Sequence, residues 1–230
     1  MSSTLSESDS KDLLARHGIP FAPEEMVSTP EDAVAAANRL GLPVVAKLCG
    51  DNISHKTERG LVRLGLNSEA DVRTATGELL DAARPDDGVS GVLIAPMISG
   101  TRELIAGIAT DPQFGPTVLL GVGGVLAEAV QDVSVRLVPL SDLDAREMIE
   151  DLDSQALLGE FRGEPAVDVE ALTAVLTGLS AAAEAGHEGH AIASADLNPV
   201  IIHRGEPVAV DALVELGPLP EQGEQDEVQP

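Results

Sequence analysis

The segment Cys49–Gly60 (CGDNISHKTERG) concentrates side chains that can do chemistry. Two hydroxyls, Ser54 and Thr57, lie within four residues that also carry the imidazole of His55 and the ammonium of Lys56. Neutral imidazole is a nucleophile near pH 7, because its unperturbed pKa is about 6.5. It can accept a phosphoryl group and pass it on to ADP. His55 is therefore the candidate catalytic residue, although a lone histidine in a loop is more often simply solvated.

Lys47 lies in the otherwise apolar run Pro43–Leu48 (PVVAKL). A cation is costly in such a strand unless an anion accompanies it, and a phosphate would supply that anion. The alternative is a strand-edge lysine whose ammonium reaches water. The chain has only three lysines, at positions 11, 47 and 56, beside 11 arginines. Lys47 is therefore a candidate ligand for the phosphates of a nucleotide.

A third group of polar residues lies near the end of the chain. Asp196 and Asn198 are two residues apart in a predicted strand, so their side chains project to the same side. Pairing of the hairpin that follows would bring Asp211 beside Asn198. A carboxylate and a carboxamide oxygen suit Mg²⁺, which takes few protein ligands and completes its shell with phosphate and water. A turn-forming Asn-Pro and a surface aspartate are the alternative interpretation.

Weaker signals come from glycines, one acid and two histidines. Gly123 and Gly124 leave a predicted strand, where they could contact phosphate, but a tight turn explains them equally well. Glu103 opens another strand and could bind ribose hydroxyls. His187 and His190 have the spacing of metal ligands but no third ligand nearby, so a solvated turn is predicted there.

The predicted elements indicate an α+β fold with two lobes. Helices are predicted where a capping residue such as Thr29 or Ser68 precedes an apolar stripe, and strands where short apolar runs occur. Residues 1–9 and 217–230 are expected to be disordered polar tails. The predicted helices cover about 10–17, 30–40, 68–83, 141–151 and 168–185, and the predicted strands about 43–48, 61–66, 89–95, 103–109, 117–122, 133–138 and a final pair joined by an Arg-Gly-Glu-Pro turn.

Composition limits the class of protein. A net charge of −25, from 39 acidic and 14 basic residues, argues against nucleic acid and anionic membranes as partners. Trp and Tyr are absent and only three Phe occur, so a nucleotide base would lie between aliphatic side chains. Cys49 is the lone cysteine, the N-terminus lacks the features of a signal peptide, and no apolar run approaches the length of a membrane span. A cytoplasmic protein is therefore expected.

Several motifs together carry a resemblance to a known family. VVAKL, ISHKTERG, LIAPMISGTRELIAG, DPQFGPTVLLGVGG, DVSVRLVPL, DLNPVII and AVDA follow one another in the order found in the β subunit of ADP-forming acyl-CoA synthetases. That subunit is an ATP-grasp domain related to the nucleotide-binding part of succinyl-CoA synthetase. The resemblance runs from about Lys11 to Leu216, and ISHKT is its most specific segment.

The resemblance implies an ATP-grasp fold over residues 10–216, with a smaller lobe at about 25–94, a larger lobe at about 95–216 and the nucleotide cleft between them. It implies that ATP or ADP is a substrate and that Mg²⁺ takes part. It also implies an α subunit that carries the CoA-binding and ligase domains, in an α2β2 assembly. The implied site residues are Lys47 on the phosphates, Ala95–Met97 as the adenine hinge, Glu103 at the ribose, Asn198 and Asp211 on Mg²⁺, and His55 as a second phosphohistidine.

The sequence departs from the family pattern at one place, and three alternative functions remain open. The Val-Gly-Gly-Val familiar after the histidine loop is Arg59–Val62 (RGLV) here, which removes one glycine. A regulatory ATP-grasp module would keep the fold but lose His55, Lys47 or Asp211, all of which are present. An ATP-grasp carboxylate–amine ligase would need no histidine in this loop, and an acidic binding protein would have no affinity for ATP.

Overall fold

The computed structural model describes residues 3–50, 53, 59–124 and 130–219. Two antiparallel sheets form the framework, and each has its own hydrophobic core. In the described residues, the smaller sheet has four strands, in the order β2 (Glu25–Val27), β5 (Val89–Pro96), β3 (Val44–Gly50) and β4 (Val62–Leu66). The larger sheet has seven, in the order β1 (Ser3–Thr4), β11 (Leu213–Gly217), β9 (Ala191–His203), β6 (Glu103–Asp111), β7 (Gly115–Val122) and β8 (Val133–Leu137), with β10 (Glu206–Ala209) also paired to β9. The predicted α+β architecture with two lobes is confirmed.

The smaller lobe packs two helices against its sheet. Local sequence fixes where these helices begin, because the Thr29 and Ser68 hydroxyls accept hydrogen bonds from the N–H groups of Asp32 and Asp71. Their apolar faces cover strands β3 and β5, where Val44, Leu48 and Ile94 are fully buried. The elements are β2 Glu25–Val27, α2 Pro30–Leu40, β3 Val44–Gly50, β4 Val62–Leu66, α3 Glu69–Asp81 and β5 Val89–Pro96.

The larger lobe packs its helices against the central strands of its sheet. Ser141 forms a capping box with Asp144, and the Asp168 carboxylate caps the longest helix, as the sequence predicts. The elements are β1 Ser3–Thr4, α1 Glu7–Ala15, β6 Glu103–Asp111, β7 Gly115–Val122, β8 Val133–Leu137, α4 Asp142–Glu150, α5 Val169–Ala185, β9 Ala191–His203, β10 Glu206–Ala209 and β11 Leu213–Gly217.

The C-terminal hairpin keeps one register along almost its whole length. Arg204 and Gly205 form its turn with positive φ angles of 54° and 94°, the conformation that suits a two-residue hairpin. Ala209 pairs with Val200 in β10, and Leu213 pairs with Asp196 in β11. The two pairings belong to the same register, so position 211 falls opposite position 198 between them.

The N-terminal segment belongs to the larger lobe. The prediction of a disordered tail over residues 1–9 is wrong for residues 3–9, which form β1 and the start of α1. Strand β1 pairs with β11, and the Val214 N–H donates to the Ser10 hydroxyl at 3.0 Å. Leu13 and Leu14 are buried in the core of the larger lobe. Apolar burial by these leucines therefore orders a segment whose own composition is polar.

The other element boundaries differ from the predictions by a few residues. The first helix covers 7–15 instead of 10–17, and β2 and β11 were not predicted at all. The C-terminal tail predicted over 217–230 lies mostly outside the described residues, and Gly217 itself ends β11. No helix in the described part of the chain is long and apolar enough to cross a membrane.

Candidate active site

A cavity of about 530 Å³ lies between the two lobes. Aliphatic side chains from both lobes form its walls, including Val45 and Leu64 from the smaller sheet and Ile201 and Ala209 from the larger one. No tryptophan or tyrosine exists in the chain to provide a stacking surface. A planar base in this cavity would therefore be held between aliphatic groups, as the composition predicts.

The end of β5 forms one rim of the cavity. Ala95 and Met97 both line it, and Ala95 pairs with Val45 of β3. The Met97 N–H donates to the Pro43 carbonyl at 2.9 Å, so the β3–β5 pairing uses this backbone donor. Proline has no N–H to return to the Met97 carbonyl. At this position the backbone can therefore offer a carbonyl acceptor to a base.

Lys47 is the centre of an ion-pair network that joins the lobes. Its ammonium donates to Glu7 Oε1 at 2.9 Å and to the Val210 carbonyl at 3.2 Å, and lies 3.5 Å from Asp211 Oδ2. Lys11 donates to the same Glu7 oxygen at 2.8 Å and to Glu24 at 2.7 Å. Lys47, Lys11 and Glu24 line the cavity. A cation in an apolar strand is thus accompanied by anions of the protein itself, and it also lines the cavity.

Burial and neighbouring negative charge have opposite effects on the pKa of Lys11. Only 5% of this residue is exposed, and desolvation by itself would lower its pKa. The negative charges of Glu7 and Glu24 and the hydrogen bonds to them outweigh that effect and raise the pKa of Lys11. Lys11 is therefore a permanent positive charge at the cavity wall.

Three polar residues gather where β9 and the segment after β10 meet. Asp196 and Asn198 are exposed on the same side of β9, with the buried Leu197 between them. The register of the hairpin places Asp211 opposite Asn198. The pKa of Asp196 is raised by partial burial of its carboxyl group and by the negative charge of Asp211. The carboxylates thus repel each other, which is the electrostatic condition that a bound cation relieves.

Glu103 also lines the cavity, at the start of β6. Gly123 donates its N–H to the Glu103 carbonyl at 2.8 Å, and a Cβ at Gly124 would come within 2.9 Å of the Glu103 carboxylate. Gly124 also has a positive φ of 72°. Neither glycine is among the residues that line the cavity, and both pack closely against Glu103.

Glu164 is a further acid that lines the cavity. It accepts hydrogen bonds from the N–H and the hydroxyl of Thr101 at 3.2 and 3.1 Å. Arg102, which is 2% exposed, lies 3.4 Å from Glu164 and donates to the carbonyls of Leu157, Gly159 and Pro165. The buried guanidinium therefore holds the loop that carries Glu164 against the start of β6.

Comparison with known proteins identifies this arrangement. The family model of the ATP-grasp domain matches residues 1–216. The chain belongs to the ATP-grasp family. The β subunit of ADP-forming acetate–CoA ligase II from Pyrococcus furiosus is 36% identical over 213 residues, covering 90% of this chain and 89% of that protein. ADP-forming acetate–CoA ligase II of Archaeoglobus fulgidus is 37% identical over 213 residues, covering 93% of this chain but only 30% of that protein.

A solved structure is also similar to this ATP-grasp chain. It is acetyl-coenzyme A synthetase 1 of Ca. Korarchaeum cryptofilum in complex with coenzyme A and Mg-AMPPCP, with its phosphohistidine segment pointing towards the nucleotide-binding site. The TM-score is 0.79 at 37% sequence identity, with 93% of both chains covered. The predicted family and the predicted ATP-grasp fold are confirmed.

The predicted catalytic residue, His55, lies outside the described residues. The residues on either side of its segment are anchored to the same turn. Arg59 forms two hydrogen bonds with Asp87, each of 2.9 Å. A Cβ at Gly50 would come within 2.6 Å of the Asp87 carbonyl, so only glycine allows this close approach. Arg59, which stands where the family pattern has its first valine, thus ties the end of the segment to the smaller lobe.

The ATP-grasp cavity brings together some of the predicted site residues. Lys47, Ala95, Met97 and Glu103 all line it, and Asp211 is in contact with Lys47. The histidines at 187 and 190 form a tight turn through two backbone hydrogen bonds of 2.9 Å, as predicted.

Sequence reasoning missed the contributions of Glu7, Lys11, Glu24 and Glu164. The spacing of Glu7 and Lys11, four residues apart, was the only local signal, because it places both on one face of a helix.

Proposed function

We propose that this chain is the nucleotide-binding subunit of an ADP-forming acyl-CoA synthetase. His55 accepts a phosphoryl group from a histidine of a partner subunit and delivers it to ADP, and the net reaction is acyl-CoA + ADP + phosphate ⇌ carboxylate + CoA + ATP. The observation that carries the proposal is the contact of 3.5 Å between Lys47 and Asp211 beside the cavity. Two similar proteins, which cover 90% and 93% of the chain, are named as an ADP-forming acetate–CoA ligase β subunit and an acetyl-coenzyme A synthetase, and this favours an enzyme over a regulatory module.

The cavity supports a definite orientation for the nucleotide. Adenine lies between the aliphatic walls, with the backbone of Ala95–Met97 beside its polar edge. Glu103 accepts hydrogen bonds from the ribose hydroxyls. Lys47 binds the phosphates, since it is the cation of the smaller sheet that lies next to Asp211. This orientation rests on the presence of aliphatic, acidic and cationic side chains in the lining of one cavity.

Mg²⁺ fits the oxygen donors that Asn198 and Asp211 offer. Within the described residues, no group of three or more His, Cys, Asp or Glu side chains could hold a metal by itself. The protein would therefore supply few ligands and the nucleotide phosphates and water the others, which is usual for this cation. A divalent cation would also relieve the repulsion between Asp196 and Asp211. When bound, Mg²⁺ neutralises charge on the phosphates.

The transfer step exchanges one bond for another. The P–N bond between the phosphoryl group and the His55 imidazole breaks, and its electron pair stays with the imidazole. A β-phosphate oxygen of ADP forms the new P–O bond. Lys47 offsets the negative charge on the phosphates, which the net charge of −25 would otherwise repel. The reverse reaction phosphorylates His55 from ATP.

The partner is a chain with CoA-binding and ligase domains, and we propose an α2β2 assembly in the cytoplasm. The similarity to a protein named as a β subunit supports a separate partner. The longer Archaeoglobus fulgidus relative supports the same division of work, since this chain matches only 30% of it.

Reconstitution tests the proposed function directly. The chain is incubated with acetyl-CoA, phosphate and Mg·ADP, alone and together with the co-purifying chain that carries the CoA-binding domains, and ATP is measured. ATP formation is expected only when both chains are present. Turnover by the 230-residue chain alone would contradict the division into two subunits. The absence of turnover with both chains and a range of acyl-CoA esters would contradict the assigned reaction.

A further inference from the structure

Glu7 connects the lobes from behind the cavity. Its helix, α1, is fixed to the larger lobe by the buried side chains of Leu13 and Leu14. Its carboxylate nevertheless binds Lys47, which belongs to strand β3 of the smaller lobe. The Glu7 side chain is only 3% exposed, and Glu7 does not line the cavity, whereas Lys47 does. A ligand in the cavity can therefore contact Lys47 while the ammonium stays paired with the buried Glu7 carboxylate.

A single oxygen of Glu7 also keeps two cations in place. Lys11 and Lys47 lie 2.8 and 2.9 Å from Glu7 Oε1, so their ammonium nitrogens are at most the sum of these distances, 5.7 Å, apart. Like charges at this separation repel each other unless an anion lies between them. Glu24 offsets the charge of Lys11, but it has no ion pair with Lys47 among the described residues. Glu7 is thus the carboxylate on which the position of both ammonium groups depends.

We propose that Glu7 is a positioning residue of the nucleotide site. It holds the Lys47 ammonium, which is carried by the smaller lobe, at a fixed place relative to Asp211 of the larger lobe, so that the phosphates meet a cation that is already in place. This inference rests on the proposed function, since it assigns the phosphates to Lys47. Holding a long, flexible side chain in its bound position before the ligand arrives reduces the entropy that is lost on binding.

The location of Glu7 shows whether it positions the Lys47 ammonium or competes with the phosphates for it. A carboxylate that blocked the site would have to lie in the cavity and leave when phosphate enters. Glu7 is instead packed behind Lys47 and shared with Lys11. Within the described residues, Lys47 donates two hydrogen bonds, to Glu7 and to the Val210 carbonyl. An ammonium has three N–H groups, and the third can turn from Asp211 Oδ2, which lies 3.5 Å away, to a phosphate oxygen without displacing Glu7.

Calorimetric titration of the full chain with Mg·ADP tests this role. Glu7→Gln should raise the Kd about tenfold, the size of one charge-assisted hydrogen bond. Asp12→Asn, which removes the same charge from an exposed position on the same helix, should leave the Kd within about twofold. In a Lys47→Ala background, Glu7→Gln should change the Kd less than about twofold, because a residue that acts through Lys47 has nothing left to position.

The outcomes separate this inference from the proposed function. If the wild-type chain has no affinity for Mg·ADP, the proposed function is contradicted and the inference with it. If the wild-type chain binds but Glu7→Gln matches Asp12→Asn, or if its effect adds fully to that of Lys47→Ala, only the inference is overturned. Should Glu7→Gln fail to fold, Glu7→Asp keeps the charge but retracts it by one methylene. That variant should raise the Kd about threefold, and an unchanged Kd would equally overturn the inference.

Discussion

The Lys47 ammonium lies 3.5 Å from the Asp211 carboxylate, although Lys47 belongs to a strand of the smaller lobe and Asp211 follows a strand of the larger one. The contact brings the proposed phosphate ligand Lys47 next to the proposed metal ligand Asp211. In the proposed complex, the phosphates and Mg²⁺ lie between these two groups. The relationship supports the proposal that a metal–nucleotide complex binds at this cavity.

Loss of the oxygen donors should weaken binding of the metal complex in particular. Asp211→Asn or Asn198→Ala should raise the Kd of Mg·ADP at least about tenfold, because Mg²⁺ depends on hard oxygen ligands and the site has few. Titrations with Mg²⁺ and with a chelator separate metal binding from nucleotide binding. The loss should be found only when Mg²⁺ is present.

Asp151→Asn is a suitable control for these variants. Asp151 is an exposed acid of the larger lobe that pairs with Arg136, away from the cavity. This control should leave the Kd of Mg·ADP unchanged. If Asp211→Asn and Asn198→Ala also leave it unchanged, the metal is held by other groups.

Residue type alone was enough to predict part of the site. Lys47 in an apolar strand, and Asp211 opposite Asn198 in a hairpin, can both be recognised from the short stretches of sequence around them. Glu7 could not be predicted in the same way, because its position depends on the packing of α1 against β11, more than 200 residues away along the chain, through contacts such as Ser10 with Val214. The assignment of residues 1–9 to a tail failed for this reason.

Removal of the buried guanidinium of Arg102 should destabilise the larger lobe. Arg102→Met leaves the carbonyls of Leu157, Gly159 and Pro165 without their donor and should lower the free energy of unfolding by about 3 kcal/mol or more. Arg162→Met is the matched control, since Arg162 is exposed and its guanidinium lies over the Phe161 ring, 5.2 Å from the ring centroid. Arg162→Met should lower the free energy of unfolding by less than about 1 kcal/mol. Denaturant unfolding measures both, and equal costs would contradict the anchoring role of Arg102.

The ion pair between Arg59 and Asp87 should make stability depend on pH. The hydrogen bonds from Arg59 and from the Arg84 N–H lower the pKa of Asp87. A carboxyl group with a lower pKa in the folded state stabilises the protein above its unfolded pKa of about 4, and the contribution is lost as the pH falls through the folded pKa. The stability difference between wild type and Asp87→Asn should therefore be constant above about pH 5 and shrink below about pH 4.

Unfolding experiments across this pH range measure that difference. The same comparison in an Arg59→Gln background should show a smaller dependence on pH, because the hydrogen bonds from Arg59 that lower the pKa of Asp87 are then removed. A difference between wild type and Asp87→Asn that stays constant down to about pH 3 would show that the ion pair does not lower the pKa of Asp87.

The fold was predictable where its signals are local. Thr29-Pro30, Ser68, Ser141 and Asp168 mark helix starts by the chemistry of capping, and all four lie where the structure has them. Strand order was not predictable, since it depends on pairing between distant segments such as β1 with β11. Strand β2 was missed because three residues are too few to show a periodic pattern.

The central claim is that the phosphoryl group passes through His55, and labelling tests it most directly. The chain is incubated with Mg²⁺ and ATP labelled in the γ-phosphate, and the label is located by proteolysis and mass spectrometry. We predict an acid-labile, base-stable phosphate on His55, and none on His55→Ala, which should still bind Mg·ADP with the wild-type Kd. A His55→Ala variant that retains full ATP synthesis with the partner chain, or a wild-type chain labelled at another residue, would contradict the claim.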